Sequence, residues 1–193
     1  MGHGGMEVLL GKIADAVRGA WFTLRLRLRG HSVGKLLRVG RNCRLQARSG
    51  GKLRLGDRVV IGSGVVLSAL RGGEIRIGSD AGVGAGSRLI SHARIEIGEG
   101  CNIAPQVSFY DHDHVFDMEG VHRNEYKTAP ITVGAKSWIG AGTIVLRGAE
   151  IGEACLIGAG SVVKGTVPSH SRLIQRRETE IRPVGAPGPA DGR

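Results

Sequence analysis

A six-residue period runs through most of this chain and leaves few folds open to it. Written in one phase, apolar anchors stand at Val33, Val39, Leu45; Leu55, Ile61, Leu67; Ile77, Val83, Leu89; Ile97, Ile103, Phe109; Val133, Ile139, Val145; and Ile151, Ile157, Val163. A short repeat sustained this long marks a solenoid whose stacked coils share one continuous core. Six residues make one side and three sides make one turn. The expectation is an all-β parallel helix of about six coils, shaped as a triangular prism. The first two sides of every coil run six residues, and every irregularity falls on the third. Leu45 to Leu55 and Leu67 to Ile77 span ten residues, Leu89 to Ile97 eight, and Phe109 to Val133 twenty-four. A misread period would scatter its insertions over all three corners.

The finer pattern agrees. Directly after the anchors of the first two sides stand Gly34, Gly40, Gly56, Gly62, Gly78, Gly84, Gly98, Gly134, Gly140, Gly152 and Gly158, with Ala104 the exception. Glycine belongs where φ is positive or where backbones approach closely. Four residues after the anchor the side chains are mostly small, as at Ala81, Ser87, Cys101, Ser137, Thr143, Cys155 and Ser161, which suits a narrow interior. Each buried aliphatic anchor contributes roughly 1.5–3 kcal/mol. Summed over the ladder this offsets the ordering entropy of such a domain without a disulfide or a metal.

With 193 residues, one compact domain with appendages is expected. Its parts are an N-terminal basic helix or cap over 1–30, the prism over 31–168 with an excursion at 110–130, and a C-terminal segment with a Pro/Gly-rich flexible tail over 169–193. All three cysteines fall at the small interior position, where reduced buried thiols fit a cytoplasmic setting. No apolar run approaches the roughly 20 residues of a membrane span, and no signal-peptide pattern is evident.

Charge is distributed unevenly. Residues 1–58 hold 13 Lys/Arg against Glu7, Asp15 and Asp57, whereas the remainder holds 14 of each sign, so the whole surplus of +10 sits in the first third. The basic stretch has few aromatics and no recognition motif, which argues against nucleic acid. Val8, Leu9, Ile13, Val17, Trp21 and Leu24 have helical spacing and predict a helix from about Glu7 into the twenties. The following LRLRLRG suits either a continued helix or a strand. Such a segment can cap the open end of the prism, or lie peripherally on an anionic membrane surface. The clustered Gly82, Gly84 and Gly86 lack the strand-then-helix context of a phosphate loop.

The largest insertion is the place for chemistry. Phe109–Pro130 reads FYDHDHVFDMEGVHRNEYKTAP and holds three of the seven histidines. Histidine exchanges protons near neutral pH and so serves as a general base. Asp111, Asp113 and Asp117 are each candidates to orient an imidazole, and the pattern does not choose among them.

Two stretches, IAPQVSFYDHDH at 103–114 and SWIGAGTIVLRGAEIGEACLIGAGSVVKGTVP at 137–168, resemble the left-handed β-helix hexapeptide acyltransferases. Within that group they are similar to the sugar O-acetyltransferases of the galactoside, maltose and polysaccharide type, over roughly residues 33–171. The resemblance implies acetyl transfer from acetyl-CoA to a hydroxyl of a carbohydrate acceptor, by a homotrimer with active sites between subunits. The family spacing from Pro105 reaches His114 as catalytic histidine, with His112 beside it and Tyr110, Asp111 and Asp113 on the acceptor side. Val115 stands where the family often has proline. For coenzyme A the matching positions are Trp138, Ala141, Gly142, Ala159 and Gly160, with Lys164 placed to meet a phosphate and Arg176 and Arg177 toward the adenine end. No metal is implied.

Two other readings share the scaffold. The γ-type carbonic anhydrases bind zinc through three histidines across a subunit interface, and His92 and His112 each lie three residues past a third-side anchor, so they could stack on adjacent coils near His114 and His122. The paired histidines five residues apart that this reading needs are missing. A non-catalytic β-helix scaffold is the other, and it leaves the histidine-rich excursion unexplained.

Overall fold

Three parallel sheets run along the molecule, two of seven strands and one of six, and each is one side of the ladder. The computed structural model describes residues 3–176. On the first side Val33 lies beside Leu55, followed by Ile77, Ile97, Val133 and Ile151. The second side stacks Val39, Ile61, Val83, Ile103, Ile139 and Ile157. The third stacks Leu45, Leu67, Leu89, Phe109, Val145 and Val163. All eighteen anchors are buried. The solenoid also runs on past Pro168, because that proline sits in a turn and leaves the ladder intact. Val167 pairs beside Ile151 and Leu173 beside Ile157, adding two sides of a seventh coil.

The corners separate the two uses of glycine. One residue after the anchor, coils touch backbone to backbone: a Cβ on Gly40 would sit 2.5 Å from the Ser63 nitrogen, and one on Gly62 would sit 2.7 Å from the Ala85 nitrogen. Positive φ falls instead three residues after the anchor, at Leu36, Asn42, Arg58, Asp80, Gln106, Lys136, Ala154 and His170, and at Gly64, Gly86, Gly100, Gly142 and Gly160.

The third corner differs. In its shorter insertions the added residues extend the first side backward, so Leu53, Ile75, Ile95 and Ile131 form a further column, each fully buried. The period alone did not reveal this column, because it falls out of the six-residue phase. Cys101 and Cys155 are buried and Cys43 half-buried, all three as free thiols.

One helix, α1 (His3–Arg27), precedes the coils, and LRLRLRG divides between its last turn and the turn at 28–30. At the corner turns N–H groups donate to the coil before, as from Arg58 to Lys35. After each anchor of the first two sides the direction reverses, and the N–H donates to the next coil's carbonyl, as from Gly34 to Leu55 and Gly40 to Ile61. The first coil is therefore left with outward carbonyls, and α1 covers them. Arg18 Nε donates to the Val39 carbonyl at 2.9 Å, and Arg27 Nη2 to that of Val33 at 2.6 Å. Phe22 and Leu26 are buried beneath the helix. Gly19 lets it press onto the strand edge, since a Cβ there would run into the Leu37 carbonyl. The capping face is thus not the predicted stripe. Val8, Leu9, Ile13, Val17, Trp21 and Leu24 lie on the other side of α1, 51–65 % exposed.

Candidate active site

The twenty-four-residue excursion is a β-hairpin rather than an irregular loop. Strands His112–Asp117 and Gly120–Thr128 pair antiparallel, with His112 opposite Thr128 and His114 opposite Tyr126. The register shifts between His114 and Val115, a bulge of the kind that re-aims side chains beside functional sites. At its root the Ala129 N–H donates to the Asp111 carbonyl at 3.0 Å.

Asp111 fixes this root. Third-side register places Ala47 beside Ala69 and Ala69 beside Ser91, and Asp111 follows the strand that continues the stack. A carboxylate there is buried and must be fully hydrogen-bonded. Ser91 Oγ donates to Oδ2 at 2.7 Å, the Ala93 N–H to Oδ2 at 2.9 Å, and the His92 N–H to Oδ1 at 2.8 Å, with His112 Nδ1 3.2 Å from Oδ1. Burial alone pushes this carboxyl's pKa up, but those hydrogen bonds together outweigh it and hold the group below the usual carboxylate range. Asp111 therefore stays ionised. It faces His112 and the turn at 91–93. Of the other two carboxylates, Asp113 pairs with Arg147, and Asp117 accepts from His122 at 2.9 Å.

Around Asp111 four rings assemble. His92 and His112 stack face to face, centroids 3.9 Å apart and planes within 2°. Tyr126 meets His92 edge-on at 4.4 Å and His114 at 4.7 Å, and the Arg71 guanidinium lies 5.1 Å over the Tyr126 ring. The His92–His112 stack was legible from the third-side spacing. Tyr126 and Arg71 were not, because their placement needs the hairpin register. Burial, then the neighbouring His112, lowers the pKa of His92 and keeps it neutral. Among the described residues no group of three His, Cys, Asp or Glu is arranged to hold a metal ion, so the three-histidine zinc reading finds no cluster within one chain.

His114 differs from His112 in its surroundings. His112 is enclosed by His92, Tyr126 and Tyr110, whereas His114 is exposed, with Nδ1 3.4 Å from the His122 carbonyl. A carbonyl only accepts, so a ring that donates from Nδ1 there would leave the Nε2 lone pair free to take a proton.

The positions expected to hold coenzyme A lie elsewhere on the same chain. Ala141, Gly142, Ala159 and Gly160 occupy turns between the second and third sides, and Trp138 is exposed on the second side. The hairpin leaves the opposite edge of the third side, with strands Ser108–Tyr110 and Ile144–Leu146 in between. Gly142 and Gly160 hold the repeat's positive φ. Lys164 and Arg176 are exposed, and Arg177 and the tail after it lie outside the described residues. One chain therefore does not bring the histidines and these positions together.

Comparison with known proteins places this architecture. Two family models match the ladder: the bacterial transferase hexapeptide (six repeats) at residues 130–165 and the hexapeptide repeat of succinyl-transferase at 37–69. Both models describe the hexapeptide repeat of transferases, and the chain carries that repeat over these residues. Its curated relatives include a Mycobacterium tuberculosis protein named as an acetyltransferase, 28 % identical over 72 % of this chain and 39 % of that one. A Staphylococcus aureus protein so named is 36 % identical over 43 % of this chain and 42 % of that one. The chain thus spans about two-fifths of the length of these relatives. Among solved structures, AntD, an N-acyltransferase from Bacillus cereus in complex with dTDP-4-amino-4,6-dideoxyglucose and coenzyme A, superposes with a TM-score of 0.66 at 22 % identity, over 83 % of this chain and 89 % of that one. That likeness concerns the fold, a left-handed parallel β-helix.

Proposed function

We propose that this chain is an acetyl-CoA-dependent O-acetyltransferase that acts in the cytoplasm on a hydroxyl of a sugar or polysaccharide precursor. The observation that carries this reading is an accessible histidine on a hairpin rooted in a buried carboxylate. The thioester of acetyl-CoA supplies an acetyl group already activated for transfer. His114 Nε2 takes the acceptor's hydroxyl proton as the oxygen attacks, then returns it to the departing sulfur. His112, held by Asp111 and stacked on His92, keeps the hairpin root rigid and shapes the acceptor pocket together with Tyr110 and Asp113. Ala141, Gly142 and Ala159 present little beyond backbone, which suits the narrow arm of coenzyme A. Lys164 is in no ion pair among the described residues and suits a phosphate.

A homotrimer with parallel axes completes the site under this reading, one subunit's hairpin meeting a neighbour's closing coils. Two features support it: the separation of the two half-sites within a chain, and the exposed Trp138, Ile144 and Val162 beside the third side. Cyclic closure then gives three identical sites.

The test is thiol release from acetyl-CoA over a panel of sugar and nucleotide-sugar acceptors, with His114→Ala as the inactive variant. A monomeric mass in sedimentation with activity intact would remove the trimer. Acceptor-dependent thiol release unchanged in His114→Ala would remove the mechanism.

A further inference from the structure

Capping uses one side of α1 and leaves a second apolar side with nothing to do. The buried contacts come from Gly19, Phe22 and Leu26. On the opposite side Met6, Leu10, Ile13, Val17, Trp21 and Leu24 recur every three or four residues as an exposed stripe, and Leu28 extends it beyond the helix. An unbroken exposed stripe of this length marks an interaction surface rather than scattered surface apolarity.

The charge around it selects the partner. Lys12, Arg25 and Arg29 surround or follow the stripe, while Arg27 is taken up by the Val33 carbonyl, and the Arg25 guanidinium lies 5.2 Å over the Trp21 ring. Of the helix's two acidic residues, Glu7 and Asp15, the latter is paired with Arg18. Below α1 the first coil carries Lys35, Arg38, Arg41, Arg44, Arg48 and Lys52 around its three sides, all exposed. A groove of about 930 Å³ between α1 and this coil continues the apolar surface through Ala16, Ala20 and Leu36. A second copy of the helix would bring cationic flanks against cationic flanks. A surface that is apolar inside and anionic outside meets both features at once.

We propose that the α1 end of the prism docks onto an anionic lipid bilayer, with the stripe lying among the acyl chains at the interface and the basic collar facing lipid phosphates. No helix among the described residues is long and apolar enough to cross a membrane, so the contact is peripheral. It does not depend on the acetyltransferase reading. In the parallel trimer proposed above, three such ends would point the same way and act together.

Vesicle flotation of the full chain tests this, using phosphatidylglycerol–phosphatidylcholine vesicles against phosphatidylcholine alone. A Trp138→Phe background leaves Trp21 as the sole reporter, since the chain has two tryptophans. The expected result is flotation with the anionic vesicles that weakens with salt, and a blue shift of Trp21 emission. Ile13→Gln/Val17→Gln/Leu24→Gln should abolish the flotation without lowering thermal stability. Lys12→Gln/Arg25→Gln/Arg29→Gln should weaken it about a hundred-fold at low salt. Equal flotation on neutral vesicles, or flotation unchanged in the stripe variant, overturns the proposal. So does a fall in sedimentation mass in the stripe variant with vesicle binding unchanged, which assigns the stripe to a second copy.

Discussion

Two of the prism's corners and the third obey different rules. At the first two, coils stack so closely that the residue after most anchors has no room for a Cβ, as at Gly40 and Gly62, with Ala104 and Gly158 the exceptions. These turns keep one length from end to end. At the third, chain is added in every coil from the first to the fourth, and there the molecule holds Arg71, His92, Asp111, the hairpin and its histidines. Gly51 and Gly73 at the third corner are packed as closely, since a Cβ there would run into the Ala69 and Ser91 carbonyl oxygens. What differs is turn length: a fixed length excludes variation, so reactive side chains gather where the length varies. Solenoids of this kind place their insertions on one face for this reason.

The largest expected effect comes from the relaxed corner and concerns chemistry alone. His114→Ala should lower kcat about 10²–10⁴-fold, with thermal stability within about 0.5 kcal/mol of wild type, because the residue is exposed. His112→Ala should cost less in kcat and raise the acceptor's KM, through loss of the stack on His92. Steady-state kinetics at saturating acetyl-CoA separates the two. If His112→Ala is the inactive variant, the base belongs to the Asp111–His112 pair and the family register is shifted by two residues.

Next comes the tight corner, where the effect should be on stability and not on turnover. Gly62→Ala places a Cβ 2.7 Å from the Ala85 nitrogen and 3.0 Å from its Cα, both backbone atoms that cannot move without shifting a coil. A loss of about 1–3 kcal/mol is expected. Gly72→Asn at the third corner is the matched control. A Cβ at Gly72 meets nothing within 4 Å and its φ is +82°, a region asparagine tolerates, so the loss should stay below about 1 kcal/mol. Thermal unfolding at one fixed protein concentration checks both. Equal losses at the two sites would dissolve the distinction between the corners. Gly19→Ala belongs with the tight class: its Cβ meets the Leu37 carbonyl, and the expected outcome is a similar loss, with α1 lifted from the first coil and faster proteolysis before residue 30.

The same contrast explains what could be read from the sequence. The anchors and corner glycines were legible because the repeat writes each rule many times over. The zigzag from Leu53 to Ile131 was not, since it exists only through insertions that break the phase. For α1, spacing identified the apolar stripe but not which side is buried. That is decided by Gly19, where the helix presses onto the backbone at Leu37, and by Arg18 and Arg27 reaching carbonyls that lack a preceding coil. Asp111 could not be chosen over Asp113 and Asp117 until register placed it behind Ala47, Ala69 and Ser91. Tyr126 and Arg71 needed the pairing of the hairpin and its bulge as well.

The smallest effect expected is a pH dependence of stability that divides between the corners' neighbourhoods. His92 is held neutral by burial and by His112, with Asp111, Arg71 and His114 also around it. Its folded pKa lies below the ordinary 6.5, so the unfolded chain binds the proton first. Its contribution is complete above about 6.5 and is lost as pH falls below that value. His31, at the α1 end, is lowered in the same direction by burial and then by Arg29, and adds to this window. Asp111 acts lower down: its folded pKa is below 3.8, so its contribution is intact at neutral pH and disappears only as the pH falls through the folded value. Melting temperature should therefore decline in two steps, the first of a few °C at most. His92→Phe should flatten the third-corner share of the first step and leave the acid step in place, while His31→Gln should remove the remainder. If the first step is unchanged in the double variant, the stacking of neutral His92 on His112 does not contribute to the cohesion of the third corner.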